Sequence, residues 1–330
     1  MRAHLVLVGY GNVARRFASL LDERAQRLLG TCDLECRIVG TSTRTSGALF
    51  RGERCRDSFE LIQRLSESDA DLRIVVETTT LDVKDGEPAT GHVRAAIAAG
   101  CHVVTANKTP VAFAYEELTE AAGRAGVRFL FESAVMDGIP IFNLVRETLP
   151  AIDIVGFEGV VNTTTNHIIT AMESGENFGD ALARMQADGI AEADASLDVD
   201  GWDAAAKTAA LANVLMGARI TPHDVRRTGI DPGDGERARS ALVNGHRLKL
   251  VASAARHETG RMTYSVEPRE LPSTHLLAGL DGSANALILE TDLLDRVAIC
   301  QLSGSLTQTA YGLLADVVTI AREAAARTTP

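Results

Sequence analysis

The sequence predicts an α/β fold, a doubly wound parallel sheet followed by a mixed α+β domain. Three observations predict it. Short apolar strands alternate with helical stretches over about the first 135 residues, a rhythm that belongs to parallel sheets covered on both faces. A glycine-rich turn joins the first strand to the first helix. After Pro140 the alternation stops, and longer strands mix with irregularly spaced helices.

The elements follow in order. Leu5–Val8 is a short apolar strand. Val13, Phe17, Leu20, Leu21 and Leu28 recur at helical spacing, and Gly30 is expected to stop that helix. Cys36–Thr41 is a second strand, Phe59, Leu61, Ile62 and Leu65 mark a short helix, and Leu72–Val76 is a third strand. His92–Ala99 reads as a helix ended by Gly100, His102–Thr105 as a strand, Tyr115–Arg124 as a helix and Val127–Phe131 as a strand. Right-handed crossovers then make a doubly wound sheet the natural topology. Beyond Pro140, helices are expected at Ile141–Leu149, Ile168–Glu173, Ala181–Gln186 and 202–216, and strands at Ile154–Val161, Leu248–Ala254, Met262–Val266, Ala286–Glu290 and Arg296–Gln301. Thr221–Ser240 reads as a surface loop with room for one short helix. Thr309–Arg327 closes the chain as a helix striped by Leu313, Leu314, Val317 and Ile320.

The 330 residues suggest two domains, at roughly 150 residues each. Hydrophobic residues make up 45% and charged residues 23%, which excludes wholesale disorder. A net charge of −11 and a pI near 5.3 argue against a nucleic-acid binder or an anionic-membrane binder. No apolar run approaches the ~20 residues of a membrane span, and the N-terminus runs straight into a strand without a signal-peptide layout. The five cysteines are odd in number and lack a CxxC pair, so neither a disulfide framework nor a zinc site is expected. The chain is read as soluble and cytoplasmic.

The first strand ends in Gly9-Tyr10-Gly11-Asn12-Val13-Ala14. This GxGxxA turn follows a strand and opens a helix, the setting of the Rossmann dinucleotide fingerprint. Gly9 allows the tight turn, Gly11 lets backbone approach a pyrophosphate, and Ala14 lets helix pack on strand. The helix N-terminus offers N–H groups to the anion. NAD preference usually needs a carboxylate at the end of the second strand. Here that strand ends Thr41-Ser42-Thr43-Arg44. Arg44 suits a 2′-phosphate, so NADP is expected over NAD.

Acids crowd the stretch 189–200, and a lysine follows four residues after Asp203. On a helix this spacing puts Asp203 and Lys207 on one face. Alone, the pattern also fits a surface salt-bridged helix. Trp202 and the neighbouring alanines read as packed, which favours a cleft. A lysine there can donate a proton to a carbonyl oxygen, with Asp203 holding the ammonium.

The chain resembles the homoserine dehydrogenase family over essentially its whole length. The resemblance rests on GYGNVA at 9–14, HVVTANK at 102–108, FESAVMDGIP at 131–140, VNTTTN at 161–166, GIAEADASLDVDGWDAAAK at 189–207, HLLAGLDGSANAL at 275–287 and SGSLTQTAYGLLAD at 303–316. It looks like the short, single-function form, without a kinase or regulatory domain. The resemblance implies a dinucleotide-binding Rossmann domain at 1–134, a catalytic, substrate and dimerisation domain at 135–303, and a C-terminal segment, 304–330, returning to the first. It implies a homodimer acting on a small amino-acid substrate, with no nucleic acid and no membrane as partner.

The resemblance also implies roles. Lys207 matches the family's proton donor and Asp203 its partner. Glu192 matches the carboxylate that binds the substrate ammonium, with Asp198 supporting and Thr164 beside the substrate. Lys108 matches the lysine between nicotinamide and substrate. Gly9, Gly11, Asn12, Val13, Thr79 and Gly304 are the cofactor positions, joined by Arg44 from the reading of the second strand's end. A sodium ion is implied at Glu132, Val135, Asp137 and Ile139, mostly through backbone oxygens, as suits a hard cation. Four stretches depart from the family's usual pattern: Met136-Asp137-Gly138, Thr163, Ile190 and the thin return loop Ser303-Gly304-Ser305-Leu306. The expected reaction is interconversion of L-homoserine and L-aspartate 4-semialdehyde by hydride transfer. A related dehydrogenase for another amino-acid alcohol or aldehyde, or a non-catalytic cofactor-binding relative, stays open at this point.

Overall fold

The computed structural model describes residues 1–188, 191 and 194–328. The chain divides into two compact units, residues 1–144 with 305–330, and residues 145–304.

The first unit is built on a seven-stranded sheet. Its elements are β1 (Arg2–Val8), α1 (Asn12–Cys32), β2 (Glu35–Thr43), β3 (Gly47–Phe50), β4 (Glu53–Cys55), α2 (Ser58–Ser66), β5 (Leu72–Glu77), α3 (Ala89–Ala98), β6 (His102–Thr105), α4 (Thr109–Ala125) and β7 (Phe129–Leu130). The strand order is β4-β3-β2-β1-β5-β6-β7. The five strands from β2 to β7 in that order run parallel, and β3 and β4 add an antiparallel edge. The chain leaves β1 toward β2 and returns on the other side to β5. That reversal opens the crevice at the carboxyl ends of β1 and β5, where such sheets bind ligands.

Alternation of side chains explains the core. Ala3, Leu5 and Leu7 point to one face of β1 and pack with Ala14, Phe17, Leu20 and Leu21 of α1 and with Leu313, Val317 and Ile320 of the C-terminal helix, Leu306–Thr328. Two sequence expectations are corrected here. Gly30 does not end α1, which runs to Cys32 and stops where Asp33 turns left-handed at φ 47°. The hairpin β3–β4 was not expected, because its strands of 4 and 3 residues are too short for alternation to register.

The chain crosses from the first unit into the second along α5 (Phe142–Thr148). The second unit holds β8 (Ile154–Val160), α6 (Thr163–Glu173), α7 (Phe178–Ala187), α8 (Ser196–Val199), α9 (Trp202–Met216), β9 (Arg226–Arg227), α10 (Asp234–Val243), β10 (His246–Arg256), β11 (Met262–Pro272), β12 (Asn285–Thr291) and β13 (Arg296–Gln301). Its six strands are ordered β13-β12-β8-β10-β11-β9. The pairs among β13, β12, β8, β10 and β11 are antiparallel. α6, α9 and α10 pack against this sheet. The expected short helix within 221–240 is α10, and α6 begins five residues before its expected start at Ile168. Three threonines in its first turn hide the helix from a propensity reading, since β-branched residues are poor helix formers.

Candidate active site

In the first unit the Gly9 turn lies at the mouth of the β1–β5 crevice. Gly9 has φ +89°, and a Cβ there would meet the Thr78 carbonyl carbon at 2.7 Å and the Thr79 nitrogen at 2.8 Å. Only glycine satisfies both the angle and the approach. A Cβ on Gly11 would meet nothing within 4 Å. Gly11 is the N-cap of α1, which has no side-chain cap and no acid in its first turn. The first N–H groups of a 21-residue helix are therefore left to an anion. Asn12 is exposed, Val13 half-buried and Ala14 fully buried against the sheet. This is a cradle that fits a dinucleotide pyrophosphate.

Behind the cradle a buried carboxylate organises two loops. Glu77, at the end of β5, is 0% exposed. One of its oxygens accepts from the Thr79 N–H at 3.1 Å and from the Thr79 hydroxyl, and the other from Thr105 Oγ1 at 3.2 Å. Asn107 donates to Thr79 Oγ1 at 3.3 Å and to the Thr80 carbonyl at 3.2 Å, and its Oδ1 accepts from the Thr109 N–H at 2.9 Å. Thr79 is thus fixed at the crevice, and Lys108 is fixed as the residue that opens α4. Arg44 is exposed in the turn between β2 and β3 and makes no ion pair among the described residues.

The loop that carries Glu132, Val135, Asp137 and Ile139 lies on the C-terminal helix. Gly138 and Gly312 meet back to back, and a Cβ on Gly312 would stand 2.9 Å from the Gly138 Cα. Ser133 Oγ donates to the Thr309 carbonyl at 2.7 Å. The Glu132 carboxylate accepts three backbone N–H bonds, from Ile141 at 2.6 Å, Phe142 at 2.9 Å and Asn143 at 2.7 Å. Asp137, held at φ 51°, accepts from Thr309 Oγ1 at 2.8 Å. Both carboxylates therefore have protein partners. No group of three or more His, Cys, Asp or Glu side chains that could hold a metal is found among the described residues. Main-chain oxygens of such a loop suit a hard cation.

In the second unit, α9 begins after Gly201, held at φ +80°, and is buried over Ala204–Ala206, Thr208–Asn213 and Met216. The Arg227 guanidinium lies 3.9 Å over the Trp202 ring and keeps this end of the helix covered. Lys207 Nζ is 3.0 Å from Asp203 Oδ2 and donates to the Val161 carbonyl at 2.6 Å. The two side chains are 14% and 13% exposed, so the pair is not the surface salt bridge that its spacing also allowed.

One residue ties the acids together. Asn162 is the N-cap of α6, and its Oδ1 accepts from the Thr165 N–H at 2.9 Å. Its Nδ2 donates to Asp198 Oδ1 at 2.7 Å and to Asp203 Oδ2 at 2.9 Å. Thr164 adds its hydroxyl to Asp198. Burial, then the neighbouring Asp203 charge, raises the Asp198 carboxyl above its ordinary value, against the pull of Asn162, Lys207 and Thr164. The sequence pattern gives Asn162 no role of its own, because it places the start of α6 at Ile168. The signal that finds it is the Asn162-Thr163-Thr164-Thr165 spacing of a capped helix start.

The structure brings Lys207, Asp203, Asp198 and Thr164 into one cluster. Gly304 is in the same unit, its N–H donating to Ser283 Oγ at 3.4 Å. Glu192 lies outside the described residues.

Known proteins share this architecture. A family model described as homoserine dehydrogenase matches residues 140–318, and one described as homoserine dehydrogenase, NAD binding domain, matches residues 9–132. An NAD(+)-dependent homoserine dehydrogenase of Pseudomonas canavaninivorans is 35% identical over 97% of this chain and 96% of its own length. A homoserine dehydrogenase of Sulfurisphaera tokodaii is 32% identical over 97% of this chain and 99% of its own length. The crystal structure of a homoserine dehydrogenase from Thiobacillus denitrificans aligns with a TM-score of 0.87 at 32% identity, covering 100% of this chain and 76% of that one. With both halves of the sequence matched and the fingerprint turn in its expected setting, the chain belongs to the homoserine dehydrogenase family, the NAD(P)-dependent oxidoreductases.

Proposed function

We propose that the second-unit cluster is the proton-handling half of this enzyme and that the Gly9–Ala14 turn is its dinucleotide half. The observation that carries the reading is the Lys207 ammonium, largely buried and bonded to both Asp203 and a backbone carbonyl. When bound, the nicotinamide supplies or accepts the hydride. In the reducing direction Lys207 gives a proton to the aldehyde oxygen of aspartate 4-semialdehyde, so that C=O becomes CH–OH. In the oxidising direction it takes that proton back. Asp203 keeps the ammonium aimed, and Asn162 keeps Asp203 and Asp198 together despite their like charge. Glu192, with Asp198 and Thr164, holds the amino-acid end of the substrate, and family likeness assigns Lys108 to substrate and nicotinamide as well.

NADP is the preferred cofactor in this reading. Arg44 is exposed beside the end of β2, where no carboxylate stands to accept from a ribose hydroxyl. One relative is named for NAD(+), so the choice must be tested on this chain. Gly9, Gly11, Asn12, Val13 and Thr79 hold the cofactor in either case, and Gly304 is assigned to it by family likeness alone. A sodium ion sits on the main-chain oxygens of Glu132, Val135, Asp137 and Ile139. We further propose a homodimer in the cytoplasm. The five unpaired cysteines fit a reducing compartment. Among the described residues no helix is long and apolar enough to cross a membrane.

The test is reduction of aspartate 4-semialdehyde by NADPH and by NADH, followed at the nicotinamide absorbance. The reading expects turnover with both and a higher kcat/KM with NADPH. Cofactor binding without turnover on this or any related aldehyde would leave a non-catalytic binding protein.

A further inference from the structure

Lys249 on β10 is 0% exposed, and the proposed chemistry does not use it. Its ammonium donates to Asn166 Oδ1 at 3.0 Å and to the Leu280 carbonyl, and stands 3.8 Å from Asp281 Oδ1. Burial, then the Arg247 guanidinium, pulls it down to about 8, against the opposing pull of Glu173 and Asp281. Its alkyl stem lies on a strand whose neighbour Val251 packs with Leu277, Ala278 and Leu280. A hydrophobic side chain would fill such a place without the cost of desolvating a charge. The lysine needs a reason that packing alone does not give.

Its partners supply one. Asn166, 1% exposed, lies one helical turn after Asn162, to whose carbonyl its N–H donates at 3.2 Å. The Asn166 amide also donates to the carbonyls of Gly282 at 3.0 Å and Ala284 at 3.3 Å. Next along that loop, Asn285 donates to Thr163 Oγ1 at 3.2 Å. Lys249 therefore touches both sides of one junction, the first turn of α6 and the loop 280–285. The same first turn carries Asn162 and Thr164, which hold Asp198 and Asp203.

We infer that Lys249 is a positioning residue for the reaction, fixing the register of α6 against the loop 280–285 so that Asn162 meets both carboxylates. This rests on the reading of the Lys207 cluster as the proton-handling site. Lys249 acts through Asn166 and touches no reacting atom.

The experiment compares the full chain with Lys249→Met, Lys249→Gln and Asn166→Ala. Hydrogen exchange at 162–166 and 280–285 reads the junction without reference to activity. Steady-state kinetics with homoserine and a dinucleotide titration read its consequence. In Lys249→Met, exchange should quicken at both segments and kcat should fall about 10–100-fold, the scale of a small misplacement of catalytic groups. Dinucleotide affinity should not move. Lys249→Gln keeps a donor for Asn166 and should recover part of the loss. Asn166→Ala should reproduce the loss, and combining it with Lys249→Met should add little, because both cut one link. A folded Lys249→Met protein with kcat within about twofold of wild type, or unchanged exchange at 162–166, overturns the inference. If the Lys249 variants do not fold, Asn166→Ala decides alone by the same two readouts. Full activity in Lys207→Met would instead sink the reading of the cluster, while the exchange data still report on the junction.

Discussion

Asn162 Nδ2 lies 2.7 Å from Asp198 Oδ1 and 2.9 Å from Asp203 Oδ2, so a single neutral amide bridges two carboxylates. Without that bridge the two charges face each other across a half-buried site, with Lys207 left to counter both. The bridge lets Asp203 be spent on Lys207, its neighbour one helical turn along α9. Asn162→Ala should therefore lower kcat by about 10–100-fold through misplacement of the ammonium. Asn162→Asp should do worse, because it adds a third carboxylate. Kinetics of both variants with homoserine check the order, and equal activity in the two would remove the charge argument.

Lys207→Ala should abolish most turnover and leave dinucleotide affinity intact. Loss of a proton donor lowers rate by about 10²–10⁴-fold. The dinucleotide turn belongs to the other unit, so fluorescence titration with NADPH should give the wild-type constant. A variant with near wild-type kcat would take Lys207 out of the mechanism.

Arg44→Ala should weaken NADP(H) binding and spare NAD(H), since only the former carries a 2′-phosphate to lose. The loss should be about 10-fold or more, the scale of a charge-assisted hydrogen bond. Parallel titrations with both cofactors measure it. Equal weakening of the two would show that Arg44 does not read the phosphate.

The first unit was legible because its signals are local. The Gly9–Ala14 turn, the buried alternation of β1 and the stripe of α1 lie in consecutive residues, and each is a periodicity of 2 or about 3.6. The Asp203–Lys207 pair was legible for the same reason, as two residues on one face. Asn162 was not, because its partners Asp198 and Asp203 are 36 and 41 residues away. No spacing rule links a helix cap to acids at that distance. Lys249 was invisible in principle. In the run Leu248-Lys249-Leu250 it reads as an outward-facing position of a half-buried strand, and only the fold shows that both faces of β10 are covered. Glu132 and Asp137 stand in one loop of the sequence, but their partners, three backbone N–H groups and Thr309, depend on how that loop lies on α5 and the C-terminal helix.

Lys249 also sets an expectation for stability against pH. Its folded value is about 8 and its ordinary value 10.5. Between these the unfolded chain binds the proton and the folded chain has lost it. Stability from this group therefore rises as pH climbs from about 8 to about 10.5, the sign expected when the unfolded state holds more protons. Urea melts of wild type and Lys249→Met at about pH 7 and about pH 10 measure the difference. Relative to the variant, the wild type should gain stability at the higher pH. A constant difference would mean that the ammonium titrates alike in both states.

The loop from Glu132 to Ile139 makes the last prediction. Two nearby unpartnered acids would call for a cation, yet each of these has another partner. The Glu132 carboxylate is met by three N–H groups at the start of α5, where the helix dipole favours negative charge. Asp137 is met by the Thr309 hydroxyl. A monovalent cation held here can then draw on main-chain oxygens, which suit a hard ion. Those oxygens survive substitution of the side chain, and glycine also accepts the φ of 51° at position 137. Sodium should therefore raise the melting temperature of wild type and Asp137→Gly by the same amount, following the mass-action dependence on ion concentration. The comparison is a thermal melt in sodium against a large organic cation at fixed ionic strength. A shift that vanishes in Asp137→Gly would return that carboxylate to the ion as a ligand. No shift in either protein, with a raised KM for homoserine in the variant, would assign Asp137 to the substrate instead.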